Sequence, residues 1–74
     1  MKSDIDATPI RRIEDLPELV TRRELAEFTG ISAQTFARWA VEDRGPAMTK
    51  LGSAARYRRA DVLAWIEASR GVRA

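Results

Sequence analysis

Four polar side chains, Ser32, Gln34, Thr35 and Arg38, lie within seven residues of the stretch TGISAQTFARW. On a helix, Phe36, Trp39 and Ala40 follow the i, i+3, i+4 spacing of a buried stripe, which turns Gln34, Thr35, Arg38 and Glu42 outward. Amide, hydroxyl and guanidinium groups so arranged suit hydrogen bonds to flat polar edges: glutamine pairs bidentately with adenine, and arginine with guanine or phosphate. Ser32 and the first backbone N–H groups of the same helix can also hold a phosphate. The plainer use of these residues is local, with Ser32 as a helix cap and Gln34 as a solvated surface group.

A second group follows. Arg44, Lys50, Arg56, Arg58 and Arg59 occur within residues 44–59 without a single Asp or Glu. Such a run produces a local positive field that attracts polyanions, although a solvated face has the same composition. Lys50, Ser53, Arg56 and Arg58 are the candidate contacts of this segment, and Arg22, Arg23 and Arg44 are candidate partners for a phosphate backbone. Lysine and arginine on phosphates position a protein without reading sequence. Trp39, Trp65, Tyr57, Phe28 and Phe36 are read as core because of their helical spacing, in preference to platforms for stacked bases.

No catalytic constellation is present. The chain has no histidine and no cysteine, which removes the commonest general base, the thiolate nucleophile and the usual metal ligands. Glu42 and Asp43 are adjacent and diverge on a helix. Glu24 is used in capping and Asp61 at a helix start. A non-enzymatic protein without metal, cofactor or small-molecule ligand is expected.

The elements that hold the two groups are signalled locally. Thr21 as N-cap with Glu24 three residues later forms a capping box, and Val20 with Leu25 forms a hydrophobic staple. The helix TRRELAEFT ends at Gly30, which supplies a left-handed residue. Ser32 caps the next helix, and Ile31 with Phe36 repeats the staple. Two short helices joined by a tight turn containing glycine make a helix-turn-helix. After Arg44-Gly45-Pro46 the period shortens to alternation: AMTKL, a break at GSA, then ARYR, the pattern of a hairpin. In one register Thr49, Leu51, Ala55 and Tyr57 face the core while Lys50, Arg56 and Arg58 face solvent; a one-residue slip inverts this. A last helix places Val62, Trp65, Ile66 and Ser69 on one face, with Asp61 in the first turn, Arg70 in the last and Gly71 as C-cap.

The chain of 74 residues carries a net charge of +2, unevenly spread: residues 1–20 hold three basic and five acidic groups, and residues 21–74 a net +4. Residues 1–15 read as a flexible arm in which IRRIEDL can form one amphipathic turn through Ile10, Ile13 and Leu16 before Pro17. Residues 16–70 form the compact domain and residues 71–74 a short tail. No apolar run approaches the ~20 residues of a membrane span, and the N-terminus lacks a signal-peptide core. A cytoplasmic location, without membrane, is expected.

The order helix-turn-helix, basic hairpin and aromatic-bearing helix resembles the MerR-like winged helix-turn-helix of phage excisionases. The matching segments are LVTRRELAEFTGIS, TFARW, RGPAMTKLG and RYRRADVLAWIE, with Trp39 after Arg38, Gly45-Pro46 before the hairpin, Lys50-Leu51-Gly52, and Tyr57-Arg58-Arg59 leading to Asp61 and Trp65. The resemblance implies a mainly α fold with a small β-hairpin and binding of double-stranded DNA, the helix of Arg38 in the major groove and the hairpin as wing. It further implies a recombination directionality factor: copies bind cooperatively at adjacent attachment-site sequences, bend the DNA and steer a tyrosine integrase toward prophage excision. The tip, Ser53-Ala54-Ala55, is less basic than in many such wings. Similar domains occur in small phage and prophage transcription regulators and in terminase small subunits, and a protein-protein adaptor with a basic face is a further alternative. The few residues after the last helix leave no room for the long dimerisation helix of MerR-type regulators, which favours the excisionase reading.

Overall fold

A computed structural model describes residues 12–71. Within them the chain forms a 3-10 turn at Ile13–Asp15, strand β1 (Leu19–Val20), helices α1 (Arg22–Thr29) and α2 (Ala33–Val41), strands β2 (Thr49–Leu51) and β3 (Ala54–Arg58), and helix α3 (Arg59–Ser69). This is the mainly helical winged helix-turn-helix expected. The wing is larger than a hairpin, because β1 adds a third antiparallel strand in the order β1-β3-β2. The amphipathic turn expected over residues 10–16 forms at Ile13–Asp15 and sends Ile13 against the core, ahead of the boundary drawn at Leu16. Ile10, the rest of the N-terminal arm and residues 72–74 lie outside the described residues. No described helix is long and apolar enough to cross a membrane.

Both caps of the helix-turn-helix form as their residues dictate. The Glu24 N–H donates to Thr21 Oγ1 at 3.0 Å, and the Thr21 N–H donates to Glu24 Oε1 at 2.9 Å, so two orphan donors of α1 are satisfied reciprocally. Gly30 ends α1 at φ 80°, its N–H donating to the Ala26 carbonyl at 2.8 Å. Thr29 adds a link across the turn: its hydroxyl donates to the Leu25 carbonyl at 2.8 Å and accepts from the Ile31 N–H at 3.1 Å. Three residues then suffice to redirect the chain before Ser32 Oγ accepts the Thr35 N–H at 3.1 Å and starts α2.

The core is Leu16, Val20, Leu25, Phe36, Tyr57 and Val62, each almost fully buried. Phe36 stands at its centre, edge-to-face with Trp39 (5.6 Å between centroids), Trp65 (6.0 Å) and Tyr57 (6.3 Å). Ring pairs at this separation and tilt add about 0.5–1.5 kcal/mol each beyond area burial. The aromatics are therefore interior, as their spacing predicts, with Phe28 also packed against the cluster.

The hairpin corrects the expected register. Leu51 pairs with Ala54, Lys50 with Ala55 and Thr49 with Arg56. The loop is thus Gly52-Ser53 and not the three residues Gly52-Ser53-Ala54. Gly52 has φ 65° and Ser53 is not among the positive-φ residues, the sign pattern of a type II′ turn, whose twist matches the strands it joins. One residue fewer in the loop slips β2 by one position, and every β2 side chain changes face. Thr49 and Leu51 accordingly share a face with Ala54, Arg56 and Arg58, and Leu51 is exposed; Lys50 shares the face of Ala55 and the buried Tyr57, at the sheet edge. The expected faces hold for β3 and fail for β2.

At the end of α3 the cap is Arg70, and Gly71 takes the left-handed position one residue later at φ 81°. Asp61 sits in the first turn as expected. The Arg59 N–H that α3 leaves unpaired at its start donates instead to the Glu18 carbonyl at 2.9 Å, tying helix to strand.

Candidate nucleic-acid interface

Helix α2 is one-sided. Phe36 is buried, and the positions opposite it, Gln34, Arg38 and Val41, are exposed. Gln34 is solvent-facing. Ser32 and Thr35 are joined to each other: their hydroxyls lie 2.9 Å apart while Ser32 Oγ also caps the helix. Ser32 is therefore engaged in capping while exposed, and Thr35 is half-buried. Arg38 projects with a side chain 62% exposed, its Nε 4.0 Å from Glu42 Oε2.

The end of α2 is built by a cap that its residues do not advertise. The Asp43 N–H donates to the Ala40 carbonyl at 3.4 Å, and the Arg44 N–H to the Trp39 carbonyl at 2.7 Å. With Asp43 left-handed at φ 61°, these are the two bonds of a Schellman motif, in which glycine usually occupies the left-handed position. The motif throws Arg44 back over the helix. Its guanidinium lies 5.3 Å from the Trp39 ring centre, and its Nη1 is 3.2 Å from Glu42 Oε1. Gly45 follows at φ 79°, where a side-chain carbon would stand 3.2 Å from Trp39 Cε3. Glycine is needed there for both dihedral and space.

The wing positions divide. Arg56 and Arg58 lie on the outer face of the sheet opposite Thr49 and Leu19, Lys50 lies on the other face, and Ser53 is at the tip. Arg56 Nη1 donates to the Ala55 carbonyl at 2.9 Å and is half-buried, whereas Arg58 is exposed. The expected single basic face of Lys50, Arg56 and Arg58 does not form, for the reason of register given above.

Arg22 and Arg59 bond to groups distant in the sequence. Arg22 Nε donates to the hydroxyl of the buried Tyr57 at 3.1 Å. Arg59 Nη1 donates to the Leu16 carbonyl at 2.8 Å, and its Nη2 lies 3.9 Å from Glu18. Arg23 is exposed on α1. Two features of the candidate interface escaped sequence reasoning. Val41, 89% exposed, lies on the outward face of α2, although the step from Gln34 through Arg38 at helical period leads to it. Glu42 bridges Arg38 and Arg44; its i, i+4 relation to Arg38 was a usable signal, but the fold-back of Arg44 was not.

A family model described as a helix-turn-helix domain matches residues 19–70, the span from β1 through α3. The chain belongs to this helix-turn-helix domain family. It matches no curated protein and no solved structure. Family membership and the capped α1-turn-α2 unit make it a small DNA-binding helix-turn-helix protein.

Proposed function

We propose that the protein is an excisionase, a recombination directionality factor that binds attachment-site DNA and directs a tyrosine integrase toward prophage excision. The observation that carries the reading is the unit Arg38-Trp39 on α2, the Gly45-Pro46 turn locked under Trp39, and the Lys50-to-Arg58 hairpin leading straight into α3, the arrangement by which the chain resembles excisionases. In this reading the N-terminal half of α2 enters the major groove, with Gln34, Thr35 and Arg38 at base edges and Ser32 at the backbone. The hairpin reaches the neighbouring groove with its Gly52-Ser53 tip, and Lys50, Arg56 and Arg58 meet phosphates. Arg23 and Arg44 supply further backbone contacts.

One such module covers roughly 600–1,000 Å² of DNA contact, too little for high specificity. Copies bound side by side supply the remainder, and the extra contacts they make offset the cost of bending the duplex. The protein contributes architecture and no bond-making step. A recombination assay with integrase and attachment-site substrates tests this: excision should depend on the protein, and equal excision without it removes the role while leaving DNA binding intact. A small phage or prophage transcription regulator uses the same interface; it is distinguished by an operator at a promoter and a transcriptional effect without integrase.

A further inference from the structure

The exposed end of α2 carries three charged side chains that engage one another. The Glu42 carboxylate divides its two oxygens: Oε2 stands 4.0 Å from Arg38 Nε and Oε1 stands 3.2 Å from Arg44 Nη1. Neither arginine is buried, each side chain being 62% exposed, yet each is restrained. Arg38 leaves a regular helical turn on the same side as Glu42, and Arg44 is returned by the Schellman bonds onto the Trp39 ring. Trp39 is in turn fixed by Phe36, Trp65 and Gly45. The carboxylate therefore sits between the outermost base-reading side chain of α2 and the nearest backbone-binding candidate beyond it.

We propose that Glu42 is a specificity-determining positioning residue, whose carboxylate withholds Arg38 and Arg44 from the phosphates of unmatched DNA. The inference rests on the DNA-binding reading of α2. On arbitrary sequence each arginine gains a phosphate only by giving up its pairing with Glu42, and the carboxylate repels that same phosphate. An exposed ion pair is weak, so DNA displaces it, but the net gain is reduced. On a matching site Arg38 makes a bidentate bond to guanine, a stronger and geometrically defined partner, and the exchange is favourable. Discrimination arises because the repulsive element acts on every sequence while only the right one supplies the compensating bond.

The test is Glu42→Gln beside Asp43→Asn, which removes a neighbouring carboxylate for which no arginine partner is present among the described residues. Binding is measured by fluorescence anisotropy on a random-sequence duplex and on a duplex selected from a random pool, across ~50 to ~200 mM salt. Glu42→Gln should bind the random duplex roughly five- to tenfold tighter, with a log-log salt slope steeper by about 0.9 for each arginine released. Its preference for the selected duplex should fall by a similar factor, with the melting temperature unchanged. The proposal is overturned if Glu42→Gln matches the wild type in both affinities and slope, or if Asp43→Asn reproduces all its effects, since net charge alone then suffices. Failure of the wild type to bind either duplex is a different result, and it overturns the DNA-binding reading together with the inference.

Discussion

At Arg22 the guanidinium is the hydrogen-bond donor to the hydroxyl of Tyr57, a ring only 1% exposed; at Arg38 the same group projects from α2 with a side chain 62% exposed. The difference in surroundings predicts opposite mutational outcomes. Arg22→Ala leaves a buried hydroxyl without its partner and removes the guanidinium that lies 6.0 Å from the Tyr57 ring centre. It should lower unfolding free energy by about 1–3 kcal/mol, read as a shift in the urea midpoint. Arg38→Ala removes an exposed side chain and should leave that midpoint in place while weakening binding to a matched duplex by about 1–3 kcal/mol. A large loss of melting temperature in Arg38→Ala would make that arginine structural. The two side chains are indistinguishable as letters in the sequence, because the partner of Arg22 is supplied by β3, thirty-five residues away.

Among the elements, those written by local chemistry were legible and those set by distant pairing were not. The Thr21–Glu24 box, the Gly30 stop and the Ser32 cap each rest on residues at most four apart, and each forms. Strand β1 is two residues long, too short to show alternation, and exists because Leu19 and Val20 meet Arg58 and Tyr57. The hairpin register turned on whether Ala54 belongs to loop or strand, a choice made by the handedness of a Gly-Ser turn and not by hydrophobic pattern. In the candidate site the exposure of Gln34 and Arg38 followed from helical period, whereas the meeting of Arg44 with Glu42 depends on Asp43 adopting a left-handed conformation that nothing in its neighbours announces. Gly45 was legible as a turn residue, but its contact with Trp39 was not. Gly45→Ala combines a positive φ with a 3.2 Å approach and should destabilise the domain by about 1–3 kcal/mol. A thermal melt equal to wild type would mean that the loop relaxes away from Trp39. The placement of Lys50 and Arg56 on opposite faces of the hairpin suits a wing flanked by phosphates on both sides of a groove. Lys50→Ala and Arg56→Ala should each flatten the salt slope by about 0.9, and the double variant by about twice that. An unchanged slope in either variant would take that face of the hairpin off the DNA.

For the whole molecule, the aromatic core and the charged surface perform separate tasks. Phe36, Trp39, Tyr57 and Trp65 hold α2, β3 and α3 together, and the groups left outside include Arg23, Arg38, Arg44, Lys50 and Arg58. The acid-free run of residues 44–59 is not one surface: Arg59 serves the contact with Leu16 and Glu18, Arg44 belongs to the end of α2, and Lys50, Arg56 and Arg58 are split between the faces of the sheet. On the proposed DNA-binding reading, the positive charges of α2 and the wing meet one duplex together. The most direct test of that reading is a salt titration of wild-type binding to duplex DNA carrying the attachment region. Neutralising ~4 to ~6 phosphates predicts a log-log slope of about 4–5. A negligible slope on every duplex tried would contradict it and point to a protein partner for the basic face.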